Sequence, residues 1–336
     1  MKAKKSKSIK VAILLIAAII ITFFLSLSFG SSFIPPIDVA KTLFGNGTGE
    51  YDLILFDFRL PRMVIAILIG AGMAVSGAIL QSATQNGLAD PGILGINSGA
   101  GFAVIIYIFF TQGMSFASPL LSIFIMPLFA LIGAIAAACL IYLFSWKKTG
   151  VTPIRLILVG IGINAAFSAL IIIFQLKMDP RTFTQATVWL SGNISGVDWS
   201  YVLSLLPWIL IFIPAAIYKS RYLNVLGLGD TASIGLGVNV NRERKWLLFI
   251  SVTLAGTSVA VGGGIAFLGL VAPQLAKKLV GPRNEILIPV SALVGAFLLL
   301  LSDLISRTIL APSEIPVGLV VSAIGAPYFI YLLIKS

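Results

Sequence analysis

The chain offers little to a catalyst. It has no histidine, so imidazole acid–base chemistry and histidine metal ligation are excluded by composition. Its single cysteine, Cys139, lies inside an apolar run, which rules out an internal disulfide and a cysteine zinc site. No G-x-x-x-x-G-K-[ST] run occurs, so any nucleotide would have to be bound by another polypeptide. No carboxylate pair or Ser/Lys dyad stands out. What remains is charge recognition. Asp303 and Arg307, four residues apart near the end of an apolar segment, share a helix face and can pair with each other. Arg59 and Arg62 flank Leu60-Pro61 ahead of another apolar segment. The plain alternative in both places is a helix end at the headgroups, with Pro in a first turn and Arg as an anchor.

The elements that position these residues follow from composition. Of the 336 residues, 58% are hydrophobic and 10% charged, and the mean hydropathy is +1.06. Soluble domains are about 45–50% apolar and about 25% charged. A soluble enzyme, a disordered chain and a fibrous repeat are therefore excluded. One crossing of a ~30 Å hydrocarbon core takes about 20 apolar residues. Apolar runs bounded by charge, Gly or Pro predict ten helices. They are Val11–Phe29, Arg62–Ala83, Gly92–Phe110, Pro119–Phe144, Ile154–Leu176, Tyr201–Tyr218, Trp246–Val261, Gly264–Ala276, Ile286–Ile305 and Val317–Ile334. The expected fold is an all-α polytopic membrane protein, one transmembrane domain over 1–336. The first run follows five lysines, as a signal peptide would, but it exceeds a typical 7–15-residue signal core and no clear cleavage site follows.

The net charge of +11 is a matter of placement. With both termini cytoplasmic, ten crossings put seventeen Lys and Arg inside and six outside. This bias explains the charge without any nucleic acid. The short eighth helix, Gly264–Ala276, spans only about 20 Å. Without it the count falls to fourteen against nine, so ten crossings give the better answer. A weak internal similarity links Ala71–Ile79, on a helix running inward, with Ala255–Ile265, on one running outward. Inverted repeats of this kind are common in transporters.

The middles of the predicted helices lack Asp, Glu, Lys and Arg, which argues against a proton- or sodium-coupled carrier. A membrane enzyme has less support still. Two cytoplasmic segments are unlike ordinary loops. Gln85–Ile96 makes a tight turn rich in Gly, Asn, Asp and Pro, where a simple turn before a helix is the plain alternative. Arg221–Lys245 is the longest connection, and its glycines and apolar residues predict short helices lying against a partner.

Together these segments resemble the permease family of ABC importers for iron–siderophores, haem and cobalamin. The resemblance rests on Arg59–Arg62, Gly87–Ile96, Phe267-Leu268-Gly269-Leu270-Val271-Ala272-Pro273, Glu314-Ile315-Pro316-Val317-Gly318 and Gly325-Ala326-Pro327-Tyr328-Phe329, in order along the chain. It implies a membrane core of two permeases, identical or related, with two cytoplasmic ATP-binding subunits and an extracellular substrate-binding protein. It implies ferric siderophore as the expected cargo, with haem or cobalamin as alternatives, and no resident cofactor. Arg59, Arg62 and Arg307 match positions that meet glutamates of the binding protein. Within a cytoplasmic region 221–245, Leu226, Gly227, Asp230, Ile234, Gly235 and Gly237 match the helices that engage the ATPase. Asn86, Gly87, Leu88 and Pro91, with Pro153 and Ile154, match the cytoplasmic gate. There Pro153 and Ile154 replace the small hydroxylated residues of cobalamin permeases, which disfavours cobalamin. Met178–Ser195 matches a short outer helix near the extracellular gate.

Overall fold

The structure, a computed structural model, describes residues 2–30, 32–47, 49–92, 94–111, 119–147 and 150–335. They are helical except for turns and a two-residue antiparallel pair, Trp146–Lys147 with Gly150–Val151. The helices are α1 (Lys2–Ser28), α2 (Pro36–Leu43), α3 (Gly49–Asp52), α4 (Leu60–Thr84), α5 (Ile96–Thr111), α6 (Pro119–Ser145) and α7 (Pro153–Gln175). They continue with α8 (Pro180–Leu190), α9 (Trp199–Leu226), α10 (Asp230–Gly235), α11 (Val240–Gly262), α12 (Leu268–Val280), α13 (Asn284–Thr308) and α14 (Val317–Lys335). Among the described residues, eight stretches are long and apolar enough to cross a membrane: those of α1, α4, α6, α7, α9, α11, α13 and α14. The other two expected crossings correspond to α5, of 16 residues, and α12, of 13.

α4 is the axis of the bundle and packs against α9, α11, α12 and α13. Pairings along it set the direction of each neighbour. Arg62 meets Asp303, Gly70 meets Gly295 and Ser82 meets Asn284, so α13 runs antiparallel to α4 over its whole length. Gly72 meets Ser258 and Ser76 bonds Ser251, so α11 is antiparallel too. Gly77 meets Gly269 and Gln81 meets Gln274, which makes α12 parallel. Gly72 lies on Ile209 and Gln85 on Leu226, so α9 is also parallel to α4.

The remaining directions follow from the next layer. Gly256 lies on Ala134 and Lys245 on Tyr142, so α6 opposes α11. Gly99 lies on Ala137 while Ala103 lies on Gly133, so α5 opposes α6. Leu94 with Gly160 and Phe109 with Phe174 align α7 with α5. Phe267 with Gly325 and Lys278 with Tyr328 align α14 with α12. Direction therefore alternates strictly through α4, α5, α6, α7, α9, α11, α12, α13 and α14. α11 and α13 both oppose α4, so the chain must return through the bundle between them, and α12 with its unwound approach makes that return.

That approach differs from the sequence expectation, which starts the eighth helix at Gly264. Gly263 has φ +71° and Phe267 φ +64°, so the chain turns twice before helix geometry begins at Leu268. Similarly, the helix expected from Gly92 starts at Ile96, because Gly95 sits at φ +86°. The second is longer than expected: a π-helical stretch, Leu53–Arg59, runs straight into α4. Close approach at the axis depends on missing side chains. A Cβ on Gly77 would lie 1.8 Å from the Gly269 carbonyl oxygen, and one on Gly70 would lie 2.4 Å from that of Gly295. Small residues permit such packing where lipid supplies no hydrophobic drive between helices.

Candidate functional site

The three arginines come together at one end of α4, and all three are buried. Asp303 is their centre. Its carboxylate lies 2.7 Å from Arg62 Nε and 3.1 Å from Arg307 Nη2, with no solvent exposure of its side chain. Arg62 Nη1 also reaches Glu314 at 2.7 Å, and Glu314 is the partly exposed member of the group. Arg59 donates to the carbonyl oxygens of Leu27 and Ser32, and Arg307 to the Ser26 hydroxyl, all around the end of α1. A helix C-terminus presents unpaired carbonyls and partial negative charge, a natural seat for a cation. From the sequence, these arginines are expected at helix ends beside the headgroups. The structure buries them, because a buried carboxylate and a helix end neutralise them internally.

At the opposite end of α4 the apolar surface gives way to amides. Gln274 Nε2 donates to Gln81 Oε1 at 3.0 Å and to the Gly87 carbonyl at 2.7 Å. Gln81 in turn donates to the carbonyls of Gly269 and Leu270, at 3.3 and 3.2 Å. These bonds clasp α4, α12 and the turn after α4. The turn forms for local reasons: Gln85 is left-handed at φ +54°, and Asn86 Oδ1 accepts from Leu88 N–H at 2.9 Å. Asp90 Oδ2 then accepts from Gly92 N–H at 2.8 Å.

A second set of bonds joins this end to the segment after α9. Gln85 Nε2 donates to the Leu226 carbonyl at 2.6 Å. Asn224 Oδ1 accepts from both the backbone and side-chain nitrogens of Asn284, each at 3.0 Å, and Ser82 donates to Asn284 Oδ1 at 2.8 Å. The short helix α10 is tied down by Asp230, which takes two bonds from Arg244, and by Ser233, which donates to the Val225 carbonyl. On it and immediately beside it, Leu228, Ile234 and Leu236 are each more than 60% exposed, and there is open space around Gly235.

Sequence-predicted residues thus fall into three places. Arg59, Arg62 and Arg307 cluster as expected, but buried. Asn86, Gly87, Leu88 and Pro91 form the turn held by Gln274. Leu226, Gly227, Asp230, Ile234, Gly235 and Gly237 lie on or beside α10, with Leu226 buried as the last residue of α9 and Gly237 in a left-handed turn. The 221–245 region is accordingly not one loop, since α9 runs through Arg221 to Leu226. Pro153 opens α7, and Ile154 beside it is 71% exposed. Gln81, Gln274, Asn224 and Asn284 carry no expectation from the sequence, and Gln85 and Glu314 enter there only as the first residues of segments, without a role. Gln81 and Gln274 could have been found as amides within apolar helices, where each must find a partner.

On the arginine side, Asp179 caps the amphipathic α8 inside the expected Met178–Ser195 stretch. It accepts from the Thr182 hydroxyl at 2.7 Å and from two backbone N–H groups at 3.0 Å. Bonding to Thr182 foremost holds its carboxyl below the usual range. The far end of α8 packs on the unwound approach to α12, where Gly264 N–H reaches the Trp189 carbonyl, and Gly318 N–H at the start of α14 bonds Gly192.

A polytopic helical bundle, with its ion pairs and amide clasp gathered towards its two ends and its helices alternating in direction around one buried helix, has the architecture of a membrane transport subunit. The pattern of the FecCD transport family matches residues 18–335, and the chain belongs to that family. It is 54% identical over 336 residues to the iron(3+)-hydroxamate import system permease protein FhuG of Bacillus subtilis (strain 168), covering all of both chains. It is 41% identical over 324 residues to the iron-uptake system permease protein FeuC of the same organism, covering 96% of each. The hemin transport system permease protein HmuU of Yersinia pestis is 38% identical over 298 residues, 88% of each chain. A solved metal-chelate type ABC transporter in an inward-facing conformation superimposes with a TM-score of 0.84 at 31% identity, covering 97% of this chain and 99% of the other.

Proposed function

We propose that this chain is the membrane-spanning permease subunit of an ABC importer that translocates ferric siderophores, of the hydroxamate class. The observation that carries the reading is the full-length identity to a ferric hydroxamate permease. Haem import stands as the alternative, since a hemin permease is similar over most of the chain. ATP hydrolysis falls to two partner subunits and cargo delivery to an external binding protein, around a core of this chain and a second permease, identical or related.

Ten crossings with both termini cytoplasmic fit this reading. The alternating helix directions support the crossing count, and the excess of Lys and Arg at one side supports the orientation in a cell membrane. α10 and its exposed apolar row then face the ATPase, and the clasped turn after α4, with the start of α7 at Pro153 and Ile154, forms the cytoplasmic gate. The arginine cluster lies outside. A binding protein docking there must offer carboxylates that compete with Asp303, Glu314 and the carbonyls at the end of α1. Arg62, already bonded to the partly exposed Glu314, is the arginine nearest that surface.

The test is uptake of labelled iron into cells with and without the gene, supplied as a hydroxamate chelate, a catecholate chelate or haem, with and without ATP depletion. Loss of ATP-dependent hydroxamate uptake alone is the expected result. Loss of haem uptake instead would select the alternative, and unchanged uptake of all three would overturn the importer reading.

A further inference from the structure

The molecule carries a large cavity that the transport reading does not use. It lies between α6 and α11, floored by the inner ends of α4 and α5, and has a volume of about 590 Å³. That is within the ~300–1,000 Å³ of ordinary ligand sites. Its wall is almost wholly apolar, with Leu131, Ile135, Cys139, Leu248, Phe249 and Val252 among the lining residues. From Leu131 to Tyr142 along α6 it runs eleven residues, about 16 Å of helix. This is roughly half of a ~30 Å hydrocarbon core, the depth of one leaflet.

One end of this groove is cationic. Glu243 pairs with Lys219 at 2.6 Å and Arg244 with Asp230 at 2.7 Å. Lys245, the next residue, lines the groove and has no ion pair among the described residues. Its ammonium stands 4.8 Å from the Trp146 ring centre and 5.8 Å from that of Tyr142. Leu156 also lines this end, and the residue before it, Arg155, has a buried guanidinium nitrogen with no hydrogen-bond partner. An aromatic pair with an uncompensated cation, at the mouth of an apolar slot one leaflet deep, matches a headgroup level above an acyl chain.

We propose that this groove binds an anionic phospholipid, with an acyl chain lying between α6 and α11 and the phosphate held by Lys245. The leaflet is the cytoplasmic one under the orientation proposed above, whereas lipid binding itself does not depend on the importer reading. Zwitterionic lipid also carries a phosphate, but its own ammonium offsets the attraction; a net negative headgroup does not. A cation near such a surface favours an anionic lipid by about fivefold.

The experiment is native mass spectrometry of the purified full-length chain, titrated in detergent with dioleoyl phosphatidylglycerol or dioleoyl phosphatidylcholine. The expected result is retention of phosphatidylglycerol several-fold above phosphatidylcholine. Lys245→Gln should bring the two to parity, and Lys245→Arg should keep the preference, showing that a loss is not a folding defect. Ala138→Trp, which fills the slot, should remove the bound phosphatidylglycerol. Equal retention of both lipids by the natural chain overturns the proposal, as does a preference that survives Lys245→Gln. Bismaleimide cross-linking through Cys139 of two chains, without bound lipid, would show that a second copy covers the groove and would also overturn it.

Discussion

Arg62 Nε and Asp303 Oδ1 lie 2.7 Å apart across 241 residues of sequence, and this bond closes one end of the contact between α4 and α13. Ser82 and Asn284, 2.8 Å apart, close the other. Between them the Gly70 and Gly295 backbones touch. The pair of helices is therefore fastened at both ends and held close in the middle, the geometry of a body that moves as a unit. Asp303 matters most because, among the described residues, it is the carboxylate shared by two buried arginines. Removing one partner from a buried ion pair costs about 3–5 kcal/mol, since it leaves charge without compensation. Asp303→Ala should lower the thermal midpoint of the purified chain sharply, while Glu314→Ala, at the partly exposed rim, should lower it far less. Equal shifts would show that Asp303 is not the centre of the network.

Asp179 sets a pH dependence on the same face. Its folded-state carboxyl is held below the usual range by Thr182 and two backbone donors. A lowered carboxyl stabilises the fold above its ordinary value, and that stabilisation disappears as pH falls through the folded one. The protection of amides 182–186, after correction for the pH dependence of intrinsic exchange, should therefore be greatest at neutral pH and fall in acid, and Asp179→Asn should flatten that profile. An unchanged profile in Asp179→Asn would remove the cap from the explanation.

How much of this was legible beforehand divides by kind of residue. Apolar runs are long and their period plain, so the helices could be read from sequence, as could the pairing of Asp303 with Arg307 four residues on. Burial of the arginines could not, because Arg62 finds Asp303 and Glu314 only when α4 and α13 meet. Boundaries failed where one backbone angle decides them: Phe267 in a left-handed conformation delays α12 by four residues, and nothing in a phenylalanine announces that. The amide clasp escaped because a lone Gln has no chemistry until its partner's position is known. Gln81 and Gln274 are 193 residues apart.

Gln85 makes a direct bond between the C-terminal end of α4 and the last carbonyl of α9, just before α10. If α10 receives the ATPase, this bond lies on the route by which its displacement reaches the turn at Gly87. Gln85→Leu keeps size and removes one hydrogen bond, worth about 0.5–1.5 kcal/mol. In the assembled importer the expected result is uptake per ATP hydrolysed reduced about two- to twelve-fold, with ATPase turnover preserved. A proportionate fall in both rates would mean that Gln85 only stabilises the fold.

Gly77→Ala tests the packing at the axis. The added carbon would sit 1.8 Å from the Gly269 oxygen, and both partners are backbone, so no side chain can swing away. α4 and α12 must separate, and the Gln81–Gln274 clasp one turn further along would open with them. The cost should reach or exceed the ~1–3 kcal/mol of an overpacked core. Loss of folded protein, or a much lower thermal midpoint, is the expected outcome. Wild-type stability would mean that the helices stand further apart than described.

Gly235 gives the opposite experiment, a bulky residue where nothing in this chain objects. Apart from its chain neighbours and its own helix backbone, no atom lies within 4 Å of a Cβ built there, and its backbone is helical at the end of α10. Gly235→Trp should therefore leave insertion and thermal stability unchanged. On either side Ile234 and Leu236 are 65% and 63% exposed, an apolar surface that a solvated loop would not keep without a partner. If the ATPase covers that surface, the indole must collide with it. The variant should then fail to retain the ATPase on affinity purification, and uptake should fall with the amount retained. Normal retention and full uptake would place the ATPase contact elsewhere and leave the exposed apolar residues at α10 to another partner.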